Sequence, residues 1–263
     1  MIVRAAPLLL LLLSAACSSP SATGGPGNEQ PSSQSLFSPS VTKVVFEIDY
    51  QPGAEPYVGG LGAGGDGWQI MRDNVARLFQ RSQKAVTLPT TLAQMEQLPA
   101  GQAGASYSTD AVLAIADAHR GTPSAGDTAA FYVAFLDGYF EDSGGVEKQV
   151  LGVSIGKTGV IAMFKPVIAS TDGPLGGTAR NVEQTTLVHE LGHAVGLVDN
   201  GIPLTSAHHD AAHGAHCTNQ RCTMYWENEG ASSAAQFVKQ ILTGGSNVVF
   251  AADCLADVDA MTP

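Results

Sequence analysis

Residues 181–199 read NVEQTTLVHELGHAVGLVD, and the rest of the chain is best understood outward from them. Val188, Leu191, Ala194, Val195 and Leu197 supply an apolar side at helical spacing, so a helix is expected over 181–198. Residues four apart lie about 40° from one another around a helix axis. His189 and His193 therefore leave the same face and can reach one cation, and a neutral imidazole nitrogen is a good zinc ligand. Glu190 points off to the side, where its carboxylate can take a proton from an activated water and pass it to a leaving group. Gly196 stands where left-handed backbone, cheapest at glycine, can stop the helix.

Downstream, Asp199 comes three residues after Gly196 and is followed by a long polar stretch, 200–221. A connection of that length is unusual in a compact domain unless it has a task. Six of the seven histidines lie between 189 and 216, which scattered surface histidines would not do. A third metal ligand is expected here. Asp199 is the first candidate, and His213, His208 and His216 are the alternatives, in which case Asp199 would orient a histidine from behind. Cys217, Cys222 and Cys254 are compatible with two arrangements. One is a disulfide, which export favours; the other is a closed four-ligand metal site completed by a histidine. Tyr225 is either an oxyanion hydrogen-bond donor or a packed residue.

The segment His189–Asp199 resembles the metzincin pattern H-E-x-x-H-x-x-G-x-x-(H/D). That resemblance implies a glycine turn after the helix, a third ligand at Asp199 and a methionine packed in a turn beneath the metal, for which Met224 is the candidate. Residues 216–224, HCTNQRCTM, are further similar to archaemetzincins, with a C-x4-C element just before the methionine. Members of that group carry histidine where this chain has Asp199, with the cysteines following at once; here residues 200–215 intervene. The likeness covers roughly residues 181–225. It implies an α+β, metzincin-like fold: a mixed sheet with flanking helices above an active-site helix, then a mostly irregular C-terminal subdomain.

Upstream patterning agrees with that layout. Residues 41–50, VTKVVFEIDY, read as a strand, as do 84–88. Residues 128–140 and 150–164 read as buried strands, the second broken by a hairpin turn at 156–159. Helices are expected from 66 or 67 to 79, over 90–98 and 108–119, and over 232–242.

Residues 1–16 form an expected signal peptide: Arg4, a leucine run over 8–13, then Ser14, Ala15 and Ala16 before Cys17. Small residues before a cysteine resemble a bacterial lipobox, which implies acylation at Cys17 and attachment to the cell envelope. Residues 17–40 are expected to be a flexible polar tether. A single metallopeptidase domain over 41–263 follows, with an upper lobe to 198 and a lower lobe from 199. With 13 Lys+Arg against 24 Asp+Glu, the chain is unsuited to nucleic acid or anionic lipid.

These residues together lead to an expected monomeric, envelope-anchored zinc endopeptidase acting on peptide or protein substrates, with one catalytic zinc and room for a structural one. Extended substrate would pair with an upper strand, residues 160–164. The rival reading is a non-catalytic, zinc-stabilised or metal-scavenging surface lipoprotein, for which Glu190 would have no use.

Overall fold

The computed structural model describes residues 29–61, 65–102, 104–173 and 176–262. The expected signal peptide, residues 1–16, and Cys17 lie outside the described residues. In chain order the elements begin with α1 (Ser33–Phe37), β1 (Lys43–Tyr50), β2 (Gly60–Leu61), β3 (Gly65–Asp66), α2 (Gln69–Phe79) and β4 (Ala85–Thr87). Next come β5 (Glu96–Gln97), β6 (Ala105–Tyr107), α3 (Thr109–His119), β7 (Thr128–Leu136), β8 (Gly138–Asp142) and β9 (Gly145–Glu147). The chain continues through β10 (Gly152–Ile155), β11 (Val160–Phe164), α4 (Lys165–Ser170), α5 (Thr178–Val195), α6 (Ala231–Gly244) and α7 (Ala252–Ala260).

The main sheet runs β10-β11-β7-β1-β4, with β5 also pairing with β1. Its pairings are parallel except β10 with β11, which is antiparallel. This is a mixed sheet with flanking helices. The interior strand β7, TAAFYVAFL, is buried from Ala129 to Leu136, the unbroken apolar run of a strand covered on both faces. Its Phe131 stacks on Phe46 of β1 with centroids 5.2 Å apart.

The central helix α5 is buried along almost its whole length from Val182 to Leu191. It packs on β10 and β11 and on α2, α4 and α6. Such burial on every side lets polar groups into the interior only if they are paired. Glu183 accepts from Tyr57 N at 2.6 Å and from Lys165 Nζ, and that ammonium lies 3.3 Å from the centre of the Tyr57 ring. This pairing locks α5 to α4 and fixes its rotation under the sheet.

Four expectations are corrected. Residues 33–37, assigned to the tether, form α1, capped by Ser32, with Leu36 and Phe37 buried and Phe37 stacked on Phe79 at 5.7 Å. Two apolar side chains and a Ser cap are enough to dock a short helix onto an existing core. The helix expected over 90–98 is a 3-10 turn, Leu92–Gln94, followed by β5, because Thr91 and Gln94 close a tight capping box and the chain then joins β1. After the helix expected over 232–242, which is α6, the otherwise mostly irregular region beyond 199 carries a further helix that was not expected, α7. Finally, β11 is an interior strand; the sheet edge at this end is β10. Among the described residues no helix is long and apolar enough to cross a membrane.

Candidate metal centre

Helix α5 ends at Gly196, whose φ of 94° is left-handed. Its N–H donates to His193 O and that of Leu197 to Gly192 O, the hydrogen-bond pattern of a glycine-stopped helix. A side chain on Gly196 would collide with Ser33 Oγ, 2.2 Å from where its Cβ would sit, so α1 braces this turn from outside. Gly192 is equally constrained: a Cβ there would lie 2.3 Å from Met224 Sδ. Met224 is fully buried and packs directly against the helix that carries the histidines.

The chain does not place Asp199 under this helix. Val198 and Asp199 both adopt positive φ, 55° and 61°, which turns the Asp199 carboxylate outward. Its side chain is 60% exposed and sits 3.9 Å from His209 Nδ1. Residues 200–215 loop away and return as the second arm of a narrow hairpin. Asp210 N donates to His216 O at 2.7 Å and Thr218 N to His208 O at 2.8 Å. That return delivers His216, buried, to the faces of His189 and His193.

The ligand atoms of His189, His193, His216 and Glu229 all lie within 4.8 Å of one another. His189 and His193 Nε2 are 3.0 Å apart, and Glu229 Oε1 is 3.1 Å from His216 Nε2 and 3.9 Å from His189 Nε2. Four donors around one zinc at about 2.0–2.1 Å would be roughly 3.3 Å from each other. Tautomers are set from behind. His189 Nδ1 donates to Thr223 O at 2.6 Å and His216 Nδ1 to His213 O at 2.5 Å, which leaves both Nε2 lone pairs facing inward. His216 Nε2 is buried, and Glu229 Oε1, 3.1 Å away, does not meet it in hydrogen-bond geometry. Two ring nitrogens pointing at each other beside a third that faces a carboxylate are the donor set a divalent cation satisfies. Burial and the neighbouring His189 and His216 hold His193 well below the usual histidine range, hence neutral and able to ligate.

Glu190 stands beside this group without joining it. Burial pushes its carboxyl up to about 7, against the opposing pull of His189, and Ser154 N of β10 hydrogen-bonds it. Gly152 is so close that a Cβ there would lie 3.2 Å from Glu190 Cγ, so the sheet edge passes directly over the carboxylate.

The other residues singled out by sequence fall elsewhere. His213 bonds Asp210 at 2.8 Å and stacks on Trp226 at 4.2 Å. His209 Nε2 donates to Gly214 O at 2.7 Å. Tyr225 Oη accepts from Gln220 Nε2 at 3.5 Å. His208 belongs to a second cluster with Cys217 and Cys254, whose ligand atoms are also within 4.8 Å of each other. Cys222 Sγ is 3.6 Å from Cys254 Sγ.

The disulfide expected from export is absent: Cys217, Cys222 and Cys254 are free and fully buried. Hydrogen bonds from Cys222 and Cys254 hold Cys217 down as a thiolate, and the same proton sharing pushes the other two up. His208 Nε2 meets the buried Asp257 at 2.7 Å, and Asp257 in turn accepts from Thr205 N and Oγ1. That leaves His208 Nδ1, 3.9 Å from Cys254 Sγ, as its inward ligand atom. Thiolate sulfurs around one tetrahedral zinc would be about 3.8 Å apart, so this donor set also fits the ion. Glu229 and Asp257 escaped the sequence reading, since no fixed spacing links either to the HELGH segment.

No family model matches this chain, and no curated protein matches its sequence. Among solved structures, a zinc-dependent peptidase from Methanocorpusculum labreanum (strain Z) aligns with a TM-score of 0.43 and 12% identity, over 81% of this chain and 99% of that one. That likeness is too slight to carry a function across.

Proposed function

We propose that this protein is a zinc-dependent peptidase whose catalytic metal is held by His189, His193 and His216. The observation that carries the reading is the convergence of three histidine nitrogens, two with their tautomer fixed from behind, next to a buried carboxylate outside the ligand group. The ion, when bound, supplies Lewis acidity toward a water and a scissile carbonyl. Glu190 accepts the water's proton and passes it to the departing amine. Its burial matches the carboxyl to that two-way transfer near neutral pH. The unpaired edge of β10 runs over Glu190 and would bind extended substrate by strand addition, the task the sequence reading gave to 160–164.

A scaffold with a purely structural metal would have no use for Glu190. A scavenging role for the histidine-rich insert is not favoured in this reading, since His209 is held by Gly214 and His213 by Asp210. In the same reading, Cys217, Cys222, Cys254 and His208 hold a structural zinc, and acylation of Cys17 anchors the protein to the cell envelope.

The discriminating experiment is metal analysis of purified full-length variants. His216→Ala should empty the catalytic site as thoroughly as His193→Ala, whereas Asp199→Ala should leave the zinc content and the hydrolysis of a denatured protein unchanged. Loss of zinc in Asp199→Ala with retention in His216→Ala would overturn the ligand set.

A further inference from the structure

Glu229 has no part in the chemistry above, yet its carboxylate occupies the fourth corner of the histidine group, 3.1 Å from His216 Nε2. It is carried on the turn Trp226–Glu229, immediately after the Met224 segment. The turn is tied at both ends. Asn228 Nδ2 donates to Cys222 O at 3.0 Å and Thr223 O at 3.1 Å. Gly230 forms a β-bridge with Val150, two residues before β10 begins. The segment therefore reaches from below the histidines to the sheet edge above them, and crosses the cleft where substrate would lie.

We infer that residues 226–230 are an internal strap that caps the metal centre in the resting protein, with Glu229 as a displaceable fourth ligand and Gly230 holding the start of the edge strand. The inference rests on the histidine site proposed above. A peptidase metal needs one position for water and substrate carbonyl; at tetrahedral coordination a site with four protein ligands has none. Glu229 is suited to leaving, because its side chain is 40% exposed while the histidines are buried or nearly so. A substrate strand that takes the β10 edge and brings its carbonyl to the metal would displace both contacts at once. Apparent affinity for any external ligand is then reduced by the fraction of molecules that are uncapped.

The test uses the full-length protein loaded with Co2+ in place of zinc, with azide and acetohydroxamate as external ligands. Wild type should give a visible spectrum insensitive to azide. Glu229→Gln and Glu229→Ala should keep the metal, change that spectrum, and respond to azide. They should also bind acetohydroxamate at least about tenfold more tightly, the factor expected if nine molecules in ten are capped. Zinc-loaded variants should cleave a short peptide faster than wild type. If the variants keep wild-type spectra and hydroxamate affinity, or lose turnover with affinity unchanged, Glu229 is not a cap. Failure of the underlying site is distinguishable, since wild type itself would then hold no cobalt at His189, His193 and His216.

Discussion

Glu190 and His189 are neighbours in sequence but face different groups because the helix turns about 100° between them. His189 faces the metal group with its Nδ1 tied to Thr223 O; Glu190 faces the underside of β10 and meets Ser154 N. Replacing Glu190 with Gln keeps the shape and the Ser154 contact but removes the proton acceptor. We expect zinc content and melting temperature to stay at wild-type values while kcat falls by roughly three orders of magnitude or more. Metal analysis alongside peptide hydrolysis checks this, and equal turnover in the variant would remove Glu190 from the mechanism.

Strand β1 places Asp49 in the interior, 1% exposed, where its Oδ1 accepts from Glu96 N of β5 at 3.3 Å. Burial, opposed by hydrogen bonds and assisted by the charges of Glu47 and Glu96, pushes its carboxyl up from 3.8 to about 6. The folded state thus holds the proton more tightly than the unfolded chain. Stability from this group is full below about pH 4, declines as pH rises to about 6, and is flat above that. Asp49→Asn keeps the acceptor for Glu96 N and removes the charge. It should raise stability at pH 7 by about 2 kcal/mol and flatten the stability difference between pH 4 and 6. Urea titrations of both proteins at pH 4, 5, 6 and 7 measure this, and parallel curves would exclude Asp49 as a source of pH dependence.

Across the whole molecule, two metal-type clusters flank one short segment, 216–224, so the hairpin that delivers His216 also delivers Cys217 to the second cluster. Cys254 comes from α7, which the cluster thereby ties to the centre of the protein. We expect two zinc ions per chain, falling to one in Cys254→Ala with a melting temperature lower by roughly 5 °C or more. After denaturation in chelator without reductant, thiol titration of the domain should find Cys217, Cys222 and Cys254 all reactive; a disulfide would leave one. At the other end of the chain, Cys17→Ala should move the protein from the membrane fraction to the soluble fraction, and persistence on the membrane would show that another anchor holds it.

Much of this was written locally. The spacing of His189, Glu190 and His193 and the glycine stop at 196 depend on 3.6-residue periodicity and turn chemistry, and the strands at 43–50, 128–136 and 160–164 on partial alternation or on short unbroken apolar runs, all of which a sequence displays. What followed Gly196 was not local. Asp199 had the right spacing, but two successive left-handed residues and a hairpin closed by hydrogen bonds far along the chain turned it to solvent and brought in His216, seventeen residues further on. Glu229 and Asp257 likewise reach their positions only through packing between elements, and so do the free cysteines: Cys217 and Cys254 meet His208, with Cys222 Sγ 3.6 Å from Cys254 Sγ. Sequence by itself determined which helix would carry the paired histidines on one face, since backbone geometry converts spacing directly into direction. Tertiary structure alone decided which distant side chains complete the site, because a loop's return path depends on contacts that no spacing encodes.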